Sequence, residues 1–417
     1  MSATDATSDA STLPPLAVLE SALNLTTEFL ALQASTPHGS TPDWDDFEWR
    51  IAEAVAALQG MSSLLADTLP WRGPQRWQAF LSEQRRHCIL REQRIVELLS
   101  RIDAASREKD IACVALKGAA LVKSGIYRMG ERPMGDIDLL VREDDFDIMA
   151  ATLLELGYRR GFVMSRHVTF EPPGTGNFTG FGEHIDNPLR IEVHTRIAER
   201  LPASQVDITL HTLPVSPVPG VNAYPSIAAL MRHLLLHAAG NMRARALRQI
   251  QLHDIALLAS HMNGAAWSAL IDAPEARESW WMLPPLLLVA RYYPIQIPDA
   301  VRSRLEAACP RWLRRTSMRQ RLSDVSWSKI RIEAFPGIEW SRSPREAASF
   351  ARTRLLPSRT DLAVLAQYAA MPSCASSIPW YGQSHARRML RWIFGKPPRV
   401  QTAFSVRAAL ERQESHV

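Results

Sequence analysis

Apolar and polar positions alternate with three different rhythms along this chain. Through residues 16–108 the period is helical, and "LREQRIVELLSRIDAASREKD" sets Leu90, Ile95, Leu98, Leu99 and Ile102 at helical spacing. Pro37, Pro42 and "LPWRGP" at 69–74 break that region into separate helices. The rhythm changes at residue 111. "IACVAL" is a short apolar run ending in Lys117-Gly118, which predicts a strand leading into a turn. "AALVKSGIY" predicts a short helix that stops near Gly130, and "DIDLLV" predicts the next strand. "EDDFDIMAATLLELGY" predicts a helix with Asp144 as N-cap, an acidic first turn and Gly157 at its end. "YRRGFVM" and "HVTFE" predict two strands, "PPGTG" a turn, and "NPLRIEVHTRI" the last strand.

From residue 226 the helical period returns. "IAALMRHLLLHAAGNMRARALRQIQLHDIALLA" predicts two packed amphipathic helices, and residues 265–417 read as mostly helical with proline joints around 284 and 294. The predicted fold class is therefore α+β: a small mixed β-sheet core flanked by N-terminal helices and a larger C-terminal helical domain. Four segments follow: a Ser/Thr/Asp-rich tail over 1–15, a helical region over 16–108, the core over 109–200 and a mainly helical domain over 201–417.

Composition narrows the setting. A chain of 417 residues with 46% hydrophobic residues can bury a large core. Its four cysteines (Cys88, Cys113, Cys309 and Cys374) form no CxxC pair, which argues against a disulfide framework or zinc knuckle and fits a reducing cytoplasm. "MSATDATSDASTLPP" lacks the features of a signal peptide, and "WWMLPPLLLVA" is too short for a membrane span. The net charge of +5 is concentrated in Arg302–Arg321 and Arg387–Arg399. Such clusters can contact nucleic acid or anionic lipid; solvated helix faces with local ion pairs are the favoured reading.

Within "RMGERPMGDIDLLV" two carboxylates, Asp136 and Asp138, interrupt a strand that otherwise looks buried. Side chains two apart in a strand share a face at roughly 7 Å. Unrelieved, the two charges resist burial, so a cation must sit between them or one must be protonated. In "LRIEVHTR", Glu192 and His194 face away from Ile191 and Val193, adding a third carboxylate on a strand expected nearby. Three acids beside a glycine turn that opens a helix suit divalent cations and phosphates. Two such ions can clamp the attacking and leaving oxygens of a phosphoryl displacement.

The segment "LKGAALVKSGIYRMGERPMGDIDLLVREDDFDIMAATLLELGYRR", followed by "RIEVHTRI", resembles the bacterial uncharacterised nucleotidyltransferase family of the polymerase-beta-like superfamily. That resemblance implies a catalytic core over 109–200, with Gly118 as the turn glycine, Asp136 and Asp138 as the metal-binding pair, and Glu192 as the third acid. It further implies Lys117, Gly118 and Arg132 at the nucleotide, two Mg²⁺ ions with Mn²⁺ as an alternative, and an NTP substrate, ATP first. The chain departs from the superfamily in carrying Ala119 where the turn usually continues with Gly or Ser, and Glu192 where the third acid is usually Asp.

Each signal has a plainer reading. Asp-x-Asp also occurs at strand ends and loops, and an EF-hand alignment fails because Val141 stands at the glycine position. Lys117 is read as a phosphate contact or a partner for a surface acid, and Arg132 as a phosphate contact or a bridge to the acidic cluster. His194 either orients a ligand or is a satisfied structural histidine. His233 and His237 resemble half of a zinc-protease motif, but Leu234 stands where that chemistry needs Glu, so packing or a polar contact with Asp254 is expected. Trp280, Trp281 and Trp312 are read as core or subunit contacts. Three functions remain: nucleotidyl transfer to an unidentified acceptor (a protein, peptide or small molecule, with nucleic acid not favoured), an Asp-x-Asp glycosyltransferase, or a non-catalytic nucleotide- or nucleic-acid-binding module. The glycosyltransferase requires an alternating βα series before the motif, where the sequence reads helical.

Overall fold

The computed structural model describes residues 14–359, apart from 38, 164–166, 175–181, 203, 273–275 and 327–334, together with 387, 389, 390 and 410. Residues 1–13 of the tail expected over 1–15, Cys374 and most of the second arginine cluster lie outside the described residues. Four helices open the described chain: α1 (Leu16–Ser35), α2 (Asp46–Leu58), α3 (Ser62–Thr68) and α4 (Gln75–Glu108). The prolines fall between them as expected. Among the described residues up to 108 there are helices and no strand, so the alternating βα series that the glycosyltransferase reading needs is not there.

The α/β segment then runs β1 (Ala112–Ala115), α5 (Lys117–Lys123), β2 (Asp136–Val141), α6 (Phe146–Glu155), β3 (Arg159–Val163), β4 (His167–Glu171) and β5 (Arg190–His194). Beyond it come a hairpin of β6 (Ala198–Leu201) and β7 (Ser204–Asp207), the single turn α7 (Thr209–Thr212) and β8 (Gly220–Asn222). Six strands form one mixed sheet in the order β3-β4-β5-β2-β1-β8. β2 pairs parallel with β5 and antiparallel with β1, while β4 pairs antiparallel with β5.

Alternation assigns the two faces of this sheet. Ile137, Leu139, Val141, Ile191 and Val193 pack with Ile95, Leu98, Leu99 and Ile102 of α4 and with Met149 and Leu153 of α6. On the other face Val114 and Leu140 enter a second core, built with Leu234, Leu235, Ala238 and Ala239 of α8 (Ile227–Ala244) and Ile255 of α9 (Gln249–Ser260). Further helices among the described residues are α10 (Gly264–Ile271), α11 (Leu283–Tyr292), α12 (Asp299–Ala308), α13 (Arg311–Ser317), α14 (Leu322–Ser326) and α15 (Pro344–Leu355).

Several local expectations are corrected. The helix after Gly118 ends at Lys123, where Gly125 takes a left-handed φ of 71°, rather than near Gly130. Asp144 does not cap α6; Glu143–Asp145 form a 3₁₀ turn and no side chain caps the helix. The strand at 190–194 is not the last, because β8 returns to pair parallel with β1. Pro284 and Pro285 lie inside the first turn of α11, where a missing N–H costs nothing. Trp280 and Trp281 are buried core residues, but Trp312 is 49% exposed. The first arginine cluster, by contrast, agrees with the favoured reading: Arg302–Glu306, Arg304–Asp272 and Arg321–Asp324 are local ion pairs.

Candidate active site

The acids meet because of strand register. Asp138 stands opposite Glu192 across the parallel β2–β5 pair, and Asp136 stands opposite Arg190. Paired positions share a face, so Asp136, Asp138, Glu192 and His194 all project to the side facing α8 and α9. They line a cleft of about 590 Å³, with Lys117, Gly118, Arg132, His167, His233, His237, Arg248 and Asp254 also in its wall. The sheet supplies these acids, while Lys117 opens α5, Arg132 lies in the loop before β2 and Arg248 precedes α9.

The cation anticipated for the acid pair is present on one member, and the other holds its proton more tightly than a free carboxyl does. Lys117 Nζ lies 2.9 Å from Asp138 Oδ1, and His194 Nε2 lies 2.8 Å from the same oxygen. Burial works against ionisation of Asp138, but Lys117 and His194 outweigh it and hold the carboxyl well below its usual range. Among the described residues Asp136 has no such partner. Its side chain reaches the solvent of the cleft, yet surrounding protein desolvates it in part, and Asp138 and Glu192 repel its charge; its pKa rises to about 6. Burial disfavours charge on Lys117 and His194 too, but their carboxylate neighbours raise both above their ordinary values.

Lys117 holds its position at a backbone cost. Its φ of 47° is left-handed, a region that costs a non-glycine residue about 1–2 kcal/mol. Its ammonium is the cation found on Asp138. The neighbouring Gly118 is explained by Arg132: a Cβ on Gly118 would stand 2.6 Å from the guanidinium carbon. Arg132 cannot easily yield, because Nε and Nη2 bind the two oxygens of Asp254 on α9 at 2.8 and 2.7 Å. Tyr127 donates its hydroxyl to the same carboxylate at 2.7 Å. Arg132 is thus bridged to α9, not to the acidic cluster, and this pair joins the Gly118 loop to that helix. The expected contact of His233 with Asp254 is replaced by one to Tyr224, whose hydroxyl lies 2.7 Å from His233 Nδ1. Desolvation pushes the pKa of His233 down to about 3, so it is neutral.

Two residues of the cleft were not singled out by sequence reasoning. His167 stands directly opposite His194 across the antiparallel β4–β5 pair, and its Nε2 lies 3.5 Å from Glu192 Oε2. His167 alternates with the buried Val168 in "HVTFE", which marks the polar face, but the register that puts it beside His194 is not written in the sequence. Arg248 precedes α9 and faces Asp136 electrostatically; among the described residues no ion pair engages its guanidinium. It stands in a run with Arg243 and Arg245, and nothing in that run distinguishes it.

The oxygen donors present fit divalent cations of the Mg²⁺ kind. Asp136, Asp138 and Glu192 share one face, and carboxylate oxygens grouped in this way are the donor type such ions take. A family model described as "Uncharacterised nucleotidyltransferase" matches residues 45–293, which includes α2–α4, the whole sheet and α8 to α11. Comparisons with curated proteins and with solved structures return no match.

Proposed function

Because this chain belongs to the uncharacterised nucleotidyltransferase family, a family of transferases of phosphorus-containing groups, we propose that it moves a nucleotidyl group from an NTP to an acceptor hydroxyl or similar group, with pyrophosphate leaving. The observation that carries this reading is the convergence of Asp136, Asp138 and Glu192 on one sheet face above a cleft edged by cations.

Asp136, Asp138 and Glu192 would hold Mg²⁺ there, and the bound ion would supply electrostatic stabilisation of phosphate oxygens. The chain's own residues do the rest. Lys117 holds Asp138 ionised and in place before the nucleotide arrives. Arg248 faces the acids across the cleft and is the group best placed to neutralise the β- and γ-phosphates. Arg132, fixed by Asp254, braces the Gly118 loop against α9, so the helical domain and the acid strand keep one spacing. In the transfer, the acceptor oxygen forms a bond to the α-phosphorus as the bond to the pyrophosphate oxygen breaks. The acceptor's proton passes to a carboxylate, for which Glu192 is the candidate.

ATP is the first NTP to test. The acceptor is a protein, a peptide or a small molecule, chosen by the helical wall of the cleft. Incubation with Mg²⁺, an NTP labelled at the α-phosphate and a host extract tests the proposal by mass spectrometry. A nucleoside monophosphate added to a discrete acceptor supports it, and addition of a sugar alone contradicts it.

A further inference from the structure

Glu192 is not surrounded by oxygen donors alone. Its Oε2 lies 3.5 Å from His167 Nε2 and 3.7 Å from His194 Nε2. The ligand atoms of all three residues fall within 4.8 Å of one another, and the two imidazole centroids are 4.9 Å apart. Two donors bound at about 2.1 Å to one tetrahedral ion stand about 3.4 Å apart. The two edges that meet at Glu192 therefore already have nearly the length that a shared ion imposes.

This spacing has a cause in the sheet. His167 and His194 are direct cross-strand partners, and Glu192 is two residues from His194 on the same face. Three neighbouring backbone positions hold the three donors, so little side-chain freedom is lost when an ion arrives. All three residues retain limited access to the cleft, with side-chain exposures of 10%, 21% and 10% for His167, Glu192 and His194.

The geometry points to a seat for a first-row transition dication at His167, Glu192 and His194, with a donor set different from that of the Asp136–Asp138 oxygen pair beside it. Two imidazoles and one carboxylate suit Mn²⁺, Fe²⁺, Co²⁺ or Zn²⁺, whereas Mg²⁺ takes oxygen ligands. Asp138 Oδ1, at 2.8 Å from His194 Nε2, is too close to that nitrogen to be a further ligand without opening by about half an ångström. It keeps its contact with Lys117 when His194 turns its nitrogen to the ion. Glu192 touches both seats, so an ion in the imidazole seat fixes the third acid for the transfer reaction. That last role rests on the proposed function; ion binding does not.

The test uses the full chain, stripped of metal by a chelator, with no nucleotide present. Co²⁺ is titrated and its visible absorption followed, and Mn²⁺ is titrated against the paramagnetic signal of the free ion. The parent should bind a transition dication with a Co²⁺ spectrum of nitrogen-bearing, low-coordinate character. His167→Ala should weaken Co²⁺ and Mn²⁺ binding by about tenfold or more and leave Mg²⁺ affinity within about twofold. His167→Gln, which keeps bulk and polarity but loses the imidazole, provides the same comparison if the alanine variant folds poorly. An all-oxygen Co²⁺ spectrum in the parent, or equal Mn²⁺ affinity in parent and His167 variants, overturns the inference. A chain that binds the ion but transfers no nucleotidyl group keeps this inference and sinks the proposed function; transfer without nitrogen-ligated ion does the reverse.

Discussion

Lys117 Nζ sits 2.9 Å from Asp138 Oδ1, so the charge that a divalent cation would neutralise is already neutralised by a lysine ammonium. Losing the ammonium leaves a buried carboxylate with His194 as its remaining partner. Lys117→Met should cost about 1.5–3 kcal/mol of stability, the worth of a hydrogen bond to a charged group. Mg²⁺ should then raise the unfolding temperature of the variant more than that of the parent, because the ion no longer competes with the ammonium. Equal stabilisation of the two proteins would place the ion away from Asp138.

Asp136 behaves oppositely, and its effect depends on pH. Its pKa rises from 3.8 to about 6 in the folded protein, so the folded state binds the proton more tightly than the unfolded chain does. The resulting stability is present in full below about 4 and is lost as pH rises through 6. Asp136→Asn has no charge to repel. Without metal, the variant should match the parent near pH 4 and be the more stable of the two at pH 7–8, while transfer is abolished. Thermal unfolding across pH 4–8 decides this, and a variant less stable than the parent at pH 8 would make Asp136 a structural acceptor.

Arg132, Asp254 and Gly118 form one mechanical unit. Arg132→Ala leaves Asp254 buried with Tyr127 as its partner, and should cost about 3–5 kcal/mol. Gly118→Val forces the guanidinium off Asp254 and should lower both stability and NTP affinity. The double variant should be little worse than Arg132→Ala alone, since the clash disappears with the guanidinium. Additive losses in chemical denaturation would mean that Gly118 is required by something other than Arg132.

The sheet's buried face was legible because Ile137, Leu139, Ile191 and Val193 alternate with polar residues, and alternation alone assigns the acids to the other face. The long α4 was equally legible from its apolar spacing. Register was not. Nothing local in "HVTFE" places His167 beside His194, and nothing in "YPSIAAL" says that the preceding β8 returns to β1. Contacts across more than a hundred residues, such as Arg132 with Asp254, depend on how α9 packs, so the arginine's role could be narrowed to two readings but not resolved. Gly118 shows the same limit: a glycine was evidently required there, but the side chain that requires it lies in a later loop.

Arg248 offers a test of the cleft's helical wall. Its guanidinium has no ion-pair partner among the described residues, so Arg248→Ala should leave the unfolding temperature unchanged within about 1 °C. NTP affinity measured by calorimetry with Mg²⁺ should fall by about tenfold, the loss of one charge-assisted contact. Substitutions at Arg311 and Arg315, far from the acids in sequence and outside the cleft lining, should leave it unchanged. If the Arg311 variants lose NTP affinity and Arg248→Ala does not, the phosphates lie elsewhere.

The central claim, that the acid face transfers a nucleotidyl group, is tested most directly by comparing two labels. ATP carrying its label at the α-phosphate, or at the γ-phosphate, is incubated with the protein, Mg²⁺ and host extract, beside Asp138→Asn and Glu192→Gln controls. The account predicts that only the α-label becomes fixed to an acceptor, in step with pyrophosphate release, and that both variants lose at least about a hundredfold of that rate. Incorporation of the γ-label, or α-label transfer that survives both substitutions, would contradict it.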